Sequence, residues 1–244
     1  MGFEPLGSRT AACDPSDTGN DPCGYAARQG VIFTDITEIE AADGNRKMDE
    51  ACKRAILYGV DSFGYDADGL GATLRDNVSK SFKGKKVNIY AYKGSSKIHD
   101  PKAQFKSETT SSTQRNERLK NEDVLKNKKA QNIINVAERI FRTYEAVALG
   151  KYHDPDTLIS FCSESIDKDM LEKLKAEACK TPVKNGDTIQ FYTKEELRKG
   201  VLMPDGSRVS IPSPNLFDAV VVSLDKSSII EKIKKTKLVF DSVC

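Results

Sequence analysis

The sequence predicts an α/β fold in which a mixed sheet, an antiparallel hairpin joined to parallel strands, is flanked by helices. Three observations carry this. Two strand-like runs, 23–28 and 31–39, meet at a tight turn at Gln29-Gly30. Two further apolar strands, 60–66 and 87–92, each follow a helix-patterned stretch, the signature of parallel strands joined by crossovers. Finally, Asp14, Asp66 and Asp218 each sit where a predicted strand ends or a helix begins. In open α/β sheets chemistry gathers at those strand ends.

In chain order, residues 1–9 carry no pattern and read as a leader. The apolar run Ala11-Ala12-Cys13 is a first strand closed by Asp14. The alternation from Val31 to Ile39 fits a strand with one buried face. An amphipathic helix over 46–58 puts Met48, Cys52, Ala55 and Ile56 on one face, and Gly59 ends it. A glycine-opened helix covers about 70–82. After the polar stretch 107–114, one long helix is expected over about 121–148, with Val124, Ile133, Ile134, Val136, Ala137, Ile140, Phe141 and Tyr144 as its apolar stripe. Another helix is expected over about 167–178, then strands at 188–192 and 208–211 flanking a short helical 194–199, a C-terminal hairpin region. Ser213 is placed to cap the last helix, with Pro214 in its first turn. Residues 226–244 form a basic amphipathic tail.

At 244 residues, 38% hydrophobic and 30% charged, the chain can bury a full core and has the balance of a soluble domain. It contains no apolar run near the roughly 18–20 residues that span a bilayer, and no signal-peptide pattern, so no membrane partner is expected. The six cysteines form no CxxC pair, and His99 and His153 have no spaced partners, which argues against a disulfide framework or a zinc site. Net charge is only +2, but basic clusters at 83–86, 126–129 and 232–237 could contact phosphates. Solvated lysines at helix ends explain each cluster equally well.

The loop Asp14-Pro15-Ser16-Asp17-Thr18-Gly19-Asn20-Asp21 is rich in turn-forming residues, which accounts for Asp17 and Asp21. It does not account for an aspartate at the end of an apolar strand, where burial disfavours the charge unless a cation offsets it. The segment Asp66-Ala67-Asp68-Gly69-Leu70-Gly71 has three rival readings. A calcium loop fails for want of its closing Glu, since Asn77 stands at the twelfth position. A nucleotide-binding turn fails because neither GxGxxG nor GxxxxGK[ST] is present. A metal carboxylate followed by a glycine turn, able to bring backbone close to a phosphate, fits best. Asp218, among Leu216, Phe217, Ala219 and Val220, reads either as a charge near a helix start or as a metal ligand.

Together, Cys13-Asp14-Pro15-Ser16-Asp17, Tyr65-Asp66-Ala67-Asp68-Gly69-Leu70-Gly71 and Ser213-Pro214-Asn215-Leu216-Phe217-Asp218-Ala219 resemble the nuclease domain of the large terminase subunit of tailed double-stranded DNA phages. The resemblance implies a ribonuclease H-like fold over residues 10–225, with 95–210 containing insertions and 226–244 a tail able to dock on a portal. It implies that Asp14, Asp66 and Asp218 hold two Mg²⁺ or Mn²⁺ ions, one lowering the pKa of the attacking water and one stabilising the leaving 3′ oxygen. Asp68, and less so Asp17 and Asp21, are auxiliary candidates. The expected activity is endonucleolytic cutting of concatemeric phage DNA with little sequence specificity, in the host cytoplasm. Lys85, Lys86, Lys126, Lys128 and Lys129 would grip phosphates. Beyond double-stranded DNA, the implied partners are a packaging ATPase domain, a small terminase subunit and the portal, while the isolated domain is expected to be a monomer. Two other readings stand beside this one: a junction-resolving or strand-transfer enzyme of the same fold, and a non-catalytic packaging module.

Overall fold

The computed structural model describes residues 5–16, 21–106, 119–184, 186–202 and 206–229. Asp17, the polar stretch 107–114 and most of the basic tail lie outside the described residues. The sheet has six strands in the order β5-β4-β1-β2-β3-β6. They are β1 (Arg9–Asp14), β2 (Cys23–Gln29), β3 (Ile32–Ile39), β4 (Ser62–Asp66), β5 (Asn88–Tyr92) and β6 (Ser160–Phe161). β1–β2 and β2–β3 are antiparallel, whereas β1–β4, β4–β5 and β3–β6 are parallel. The mixed sheet with an antiparallel hairpin is therefore present. The two-residue β6 is an addition that no periodicity could announce; its Phe161 stacks on Phe33 with ring centroids 5.0 Å apart.

Alternation along β1 divides the core. Ala11 and Cys13 face α1 (Gly44–Tyr58) and α2 (Arg75–Ser81), meeting Met48, Ala51, Cys52, Ala55 and Val78. Ala12 faces the other way, towards Tyr90, Tyr92 and Val222. On that second face lies α7 (Asn215–Ser223), nine residues all buried, packed on β1 and β2 and backed by α4 (Lys128–Ala148) and α5 (Lys168–Lys180). A helix this apolar all round must be internal. It can lie so close to the sheet because residue 24 is glycine: a Cβ there would stand 1.9 Å from the Asn215 carbonyl oxygen.

The expected helix over 121–148 is broken. A single turn, α3 (Asn121–Val124), is followed by extended backbone at Leu125, and α4 starts afresh with the Asn127 side chain accepting the Ala130 N–H at 2.9 Å. The break lets Leu125 bury and bridge to Ile189. The apolar stripe of α4 also behaves differently along its length. Ala130, Ile133 and Val136 are buried, but Ile140 and Tyr144 are about half exposed, at 45% and 56%. Nine-residue α7 spans about 14 Å and α4 about 32 Å, so α7 can cover no more than about half of α4.

Three smaller differences follow from local geometry. The helix expected from about residue 70 begins as a 3₁₀ segment, Gly69–Leu74, before α2. The strand expected at 188–192 makes only isolated bridges, from Ile189 to Leu125 and Phe191 to Val183. Arg208–Val209 (β8) pairs with Val201–Leu202 (β7) in a small separate hairpin beyond α6 (Lys194–Lys199).

Candidate active site

β1 and β4 are parallel neighbours in a register that pairs Cys13 with Tyr65, so the next residues, Asp14 and Asp66, emerge side by side at the carboxyl end of the sheet. Asp218 sits in the first turn of α7, against the same end of β1. Elements far apart in the chain thus bring the three sequence-predicted carboxylates to one place. Asp14 and Asp218 are buried, 1% and 3% exposed. The turn after Asp66 depends on glycine, because a Cβ on Gly71 would lie 1.7 Å from the Asp66 carbonyl oxygen.

A cleft of about 500 Å³ opens over these groups, lined among others by Asp14, Asp66, Asp68, Lys129, Lys194 and Arg198. Two ammonium groups reach the carboxylates. Lys194 Nζ donates to Asp14 Oδ2 at 2.5 Å, and Lys129 Nζ donates to Asp218 Oδ2 at 2.9 Å. Burial is the main force on Asp14 and lifts its pKa to about 7; Lys194 opposes this and the nearby Asp218 and Asp66 add to it. Burial likewise lifts Asp66 to about 6, against the Asp68 N–H that it accepts at 2.9 Å and with Asp218 pushing further up. Burial works against the charge on Lys194, yet Asp14, Asp218 and Asp66 together hold its pKa above the ordinary lysine range. The centre is therefore acidic, desolvated and short of positive charge.

The auxiliary candidates divide. Asp68 is a clamp: its two oxygens accept the Ser95 N–H at 2.9 Å and the Ser95 hydroxyl at 2.8 Å, pinning the turn after β5 to the glycine loop. Asp21 takes Arg198 at 2.7 Å and the Asn215 amide at 2.8 Å, tying the loop after β1 to α6 and α7. Asp17 lies outside the described residues. Of the lysines, Lys129 is in the cleft. Lys128 turns away to Asp225 at 3.5 Å, and Lys126 is exposed on the turn before α4. Lys85 and Lys86 precede β5, whose first residue pairs with Ser62, so they stand at the opposite end of the sheet from Asp66.

Sequence reasoning missed Lys194, Arg198 and Lys47. Lys47, buried in α1, donates to Ser16 Oγ at 3.1 Å and to the Asp21 carbonyl at 2.7 Å, bracing the loop that follows Asp14. For Lys194 a signal existed: Thr193 and Glu196 form a reciprocal capping box that fixes the start of α6 and aims its first residue at the cleft.

The donor set fits a hard divalent cation: mutually repelling carboxylate oxygens, those of Asp14 and Asp66 raised in pKa by burial. As arranged, no three Asp, Glu, His or Cys side chains among the described residues form a ready-made cage. Asp14 and Asp218 are engaged by ammonium groups instead, and an entering ion would compete with these for the same oxygens.

No protein-family model and no curated protein matches the sequence. Solved structures do. The nuclease domain of the large terminase subunit gp2 of bacterial virus Sf6 is 37% identical, with 90% of this chain and 89% of that one covered and a TM-score of 0.78. A lysine-to-alanine mutant of the same domain with manganese is 36% identical over 90% and 89% at a TM-score of 0.75, and one with calcium is 36% identical over 90% and 89% at 0.78. At that identity over nearly the whole of both chains, with the carboxylates gathered at the end of a ribonuclease H-like sheet, the chain belongs to the family of large-terminase nuclease domains.

Proposed function

We propose that this domain is a divalent-metal-dependent endonuclease that hydrolyses double-stranded DNA with little sequence specificity during phage genome packaging. The observation that supports it most is the convergence of Asp14, Asp66 and Asp218 at one end of the sheet, beside a cleft lined by Asp14, Asp66, Lys129, Lys194 and Arg198, with Lys129 reaching Asp218. Asp14, Asp66 and Asp218 would hold Mg²⁺ or Mn²⁺, and the two-ion arrangement is part of the proposal. Bound there, the metal supplies an activated water and neutralises charge building on the scissile phosphate.

The chain's own groups do the rest. Burial keeps the carboxylates poorly solvated, which favours a cation over water. Lys129 fixes the position of Asp218. Lys194 and Arg198 project from one helix towards the cleft, where they can hold phosphate oxygens on either side of the cut without reading bases. The Asp68–Ser95 clamp keeps the glycine turn and the turn after β5 together, forming a wall with little side-chain bulk at Gly69 and Gly94 against which a backbone strand can lie. In the intact packaging protein this domain would act beside the ATPase, the small subunit and the portal.

Nicking and linearisation of supercoiled plasmid with Mg²⁺, Mn²⁺ or EDTA tests the reading. Metal-dependent cutting lost in Asp66→Asn is expected; cutting that persists in EDTA, or in a folded Asp66→Asn protein, would overturn it.

A further inference from the structure

Cations are distributed unevenly on the two sides of the cleft. On the α6 side they are matched by carboxylates: Arg198 by Asp21 at 2.7 Å, Lys184 by Glu196 at 2.6 Å and Lys199 by Glu195 at 2.5 Å. On the other side run the turn after β5 and the turn before α4. Gly94 and Ser95 of the first and Asn127 of the second line the cleft. Beside them in the chain are Lys93, Lys97 and Lys126, all exposed, and none is paired with a carboxylate among the described residues.

The two turns are joined into one edge. At the start of α4 the Lys128 and Lys129 N–H groups donate to the Ser96 and Gly94 carbonyls, each at 2.9 Å. A Cβ on residue 94 would stand 3.1 Å from Lys129 Cβ, so glycine there lets the helix come this close. The Asp68–Ser95 clamp ties the same turn to the glycine loop after β4. Neighbouring carboxylates are engaged elsewhere: Asp68 by Ser95, Asp100 by Lys226 and Asp123 by the Lys120 N–H. Exposed lysines usually meet only solvent. These three lack counter-charge and sit on a braced backbone at the lip of an acidic centre. That suits a polyanion of which one charge enters the centre while its neighbours stay outside.

We propose that Lys93, Lys97 and Lys126 form a phosphate shelf that grips the DNA duplex on one side of the scissile phosphate, so that the substrate is anchored asymmetrically. For its ligand the shelf rests on the nuclease reading, but binding is measured apart from cutting, so the two can fail separately.

The test compares wild type with Lys93→Gln/Lys97→Gln/Lys126→Gln, and with Lys85→Gln/Lys86→Gln at the opposite end of the sheet as control. Fluorescence anisotropy of a labelled duplex of about 30 base pairs in EDTA reads binding alone. Wild type should bind saturably at about 50 mM salt. The slope of log affinity against log salt should shrink by about 2–3 in the triple variant, roughly one for each lysine. Near about 100 mM salt the triple variant should bind roughly a hundredfold more weakly, with the control within about twofold of wild type. In plasmid cutting with Mg²⁺ or Mn²⁺ the loss should appear in KM, with kcat kept. No saturable wild-type binding, an unchanged salt slope in the triple variant, an equal loss in the control, or a loss confined to kcat would each overturn the shelf. The expected binding losses with a wild type that does not cut would support the shelf and sink the nuclease reading alone.

Discussion

Helix α7 has an aspartate near each end, and the two are treated in opposite ways. Asp225, just past its carboxyl end, is fully buried and surrounded: Asn132 and the Ser227 N–H each donate at 2.9 Å, His99 stands at 3.3 Å and Lys128 at 3.5 Å. Burial pushes its pKa up, yet these donors win and hold it at about 2. Asp218, at the other end, has Lys129, and its neighbours Asp14 and Asp66 are left at about 7 and 6. A buried carboxylate that the protein satisfies by itself is part of the architecture. Carboxylates left short of donors, together and beside a cleft, are on the proposed reading held ready for charge supplied from solution.

The largest effect that would break this contrast is on cleavage. Asp66→Asn removes an anionic oxygen worth several kcal/mol of charge stabilisation, so plasmid cutting should fall roughly a thousandfold or more while the circular dichroism spectrum stays native. Asp225→Ala should do the reverse. Stranding Lys128 and Asn132 in the interior should cost about 3–5 kcal/mol in urea unfolding, with the folded fraction still able to cut. A stability loss below about 1 kcal/mol would show that Asp225 is dispensable to the architecture.

Acid and base should separate the two regions as well. Asp14 and Asp66 have folded pKa values raised above the unfolded value of about 3.9, so their favourable contribution is complete below about pH 4 and lost as pH rises towards 6 and 7. Asp225 is depressed to about 2, so its contribution is present above about pH 4 and lost as pH falls towards 2. In metal-free buffer, calorimetric melting temperatures should therefore decline between about pH 4 and 7, and Asp14→Asn should flatten that decline alone. An unchanged slope in Asp14→Asn would remove the electrostatic basis of the contrast. The smallest effect belongs to His99→Ala, which deletes one of several partners of Asp225 at a part-exposed position; about 1 kcal/mol of stability should go, read by the urea midpoint.

The same contrast explains what could be read from the chain. Asp14 and Asp66 stand out in sequence because an acid closes an apolar strand, a local mismatch visible without a fold. The hairpin and the first α/β crossover were legible for the same reason: period and turn chemistry are local. Asp225 was not, since nothing local marks it and its four partners come from two other segments, α4 and the stretch carrying His99, as well as its own turn. The break before α4 and the part-exposed end of its stripe depend on what packs there, which periodicity cannot report. Ser213 was expected to cap α7, but Pro214 occupies the cap position and Glu177 from α5 reaches the Phe217 N–H, a substitution across 40 residues of chain that only the packed structure reveals.

The order in which the carboxylates occur along the chain bears on biosynthesis. At about 5–20 residues per second, Asp218 is made about ten to forty seconds after Asp14. Until α7 arrives, the inner face of β1 and β2 has no cover and the third carboxylate does not exist. On the proposed reading, a nascent chain that has emerged only as far as Pro212 lacks the third carboxylate and cannot cut. Ribosome-bound chains stalled at Pro212 should leave plasmid intact, whereas chains extended by a linker beyond Ile229 should cut it.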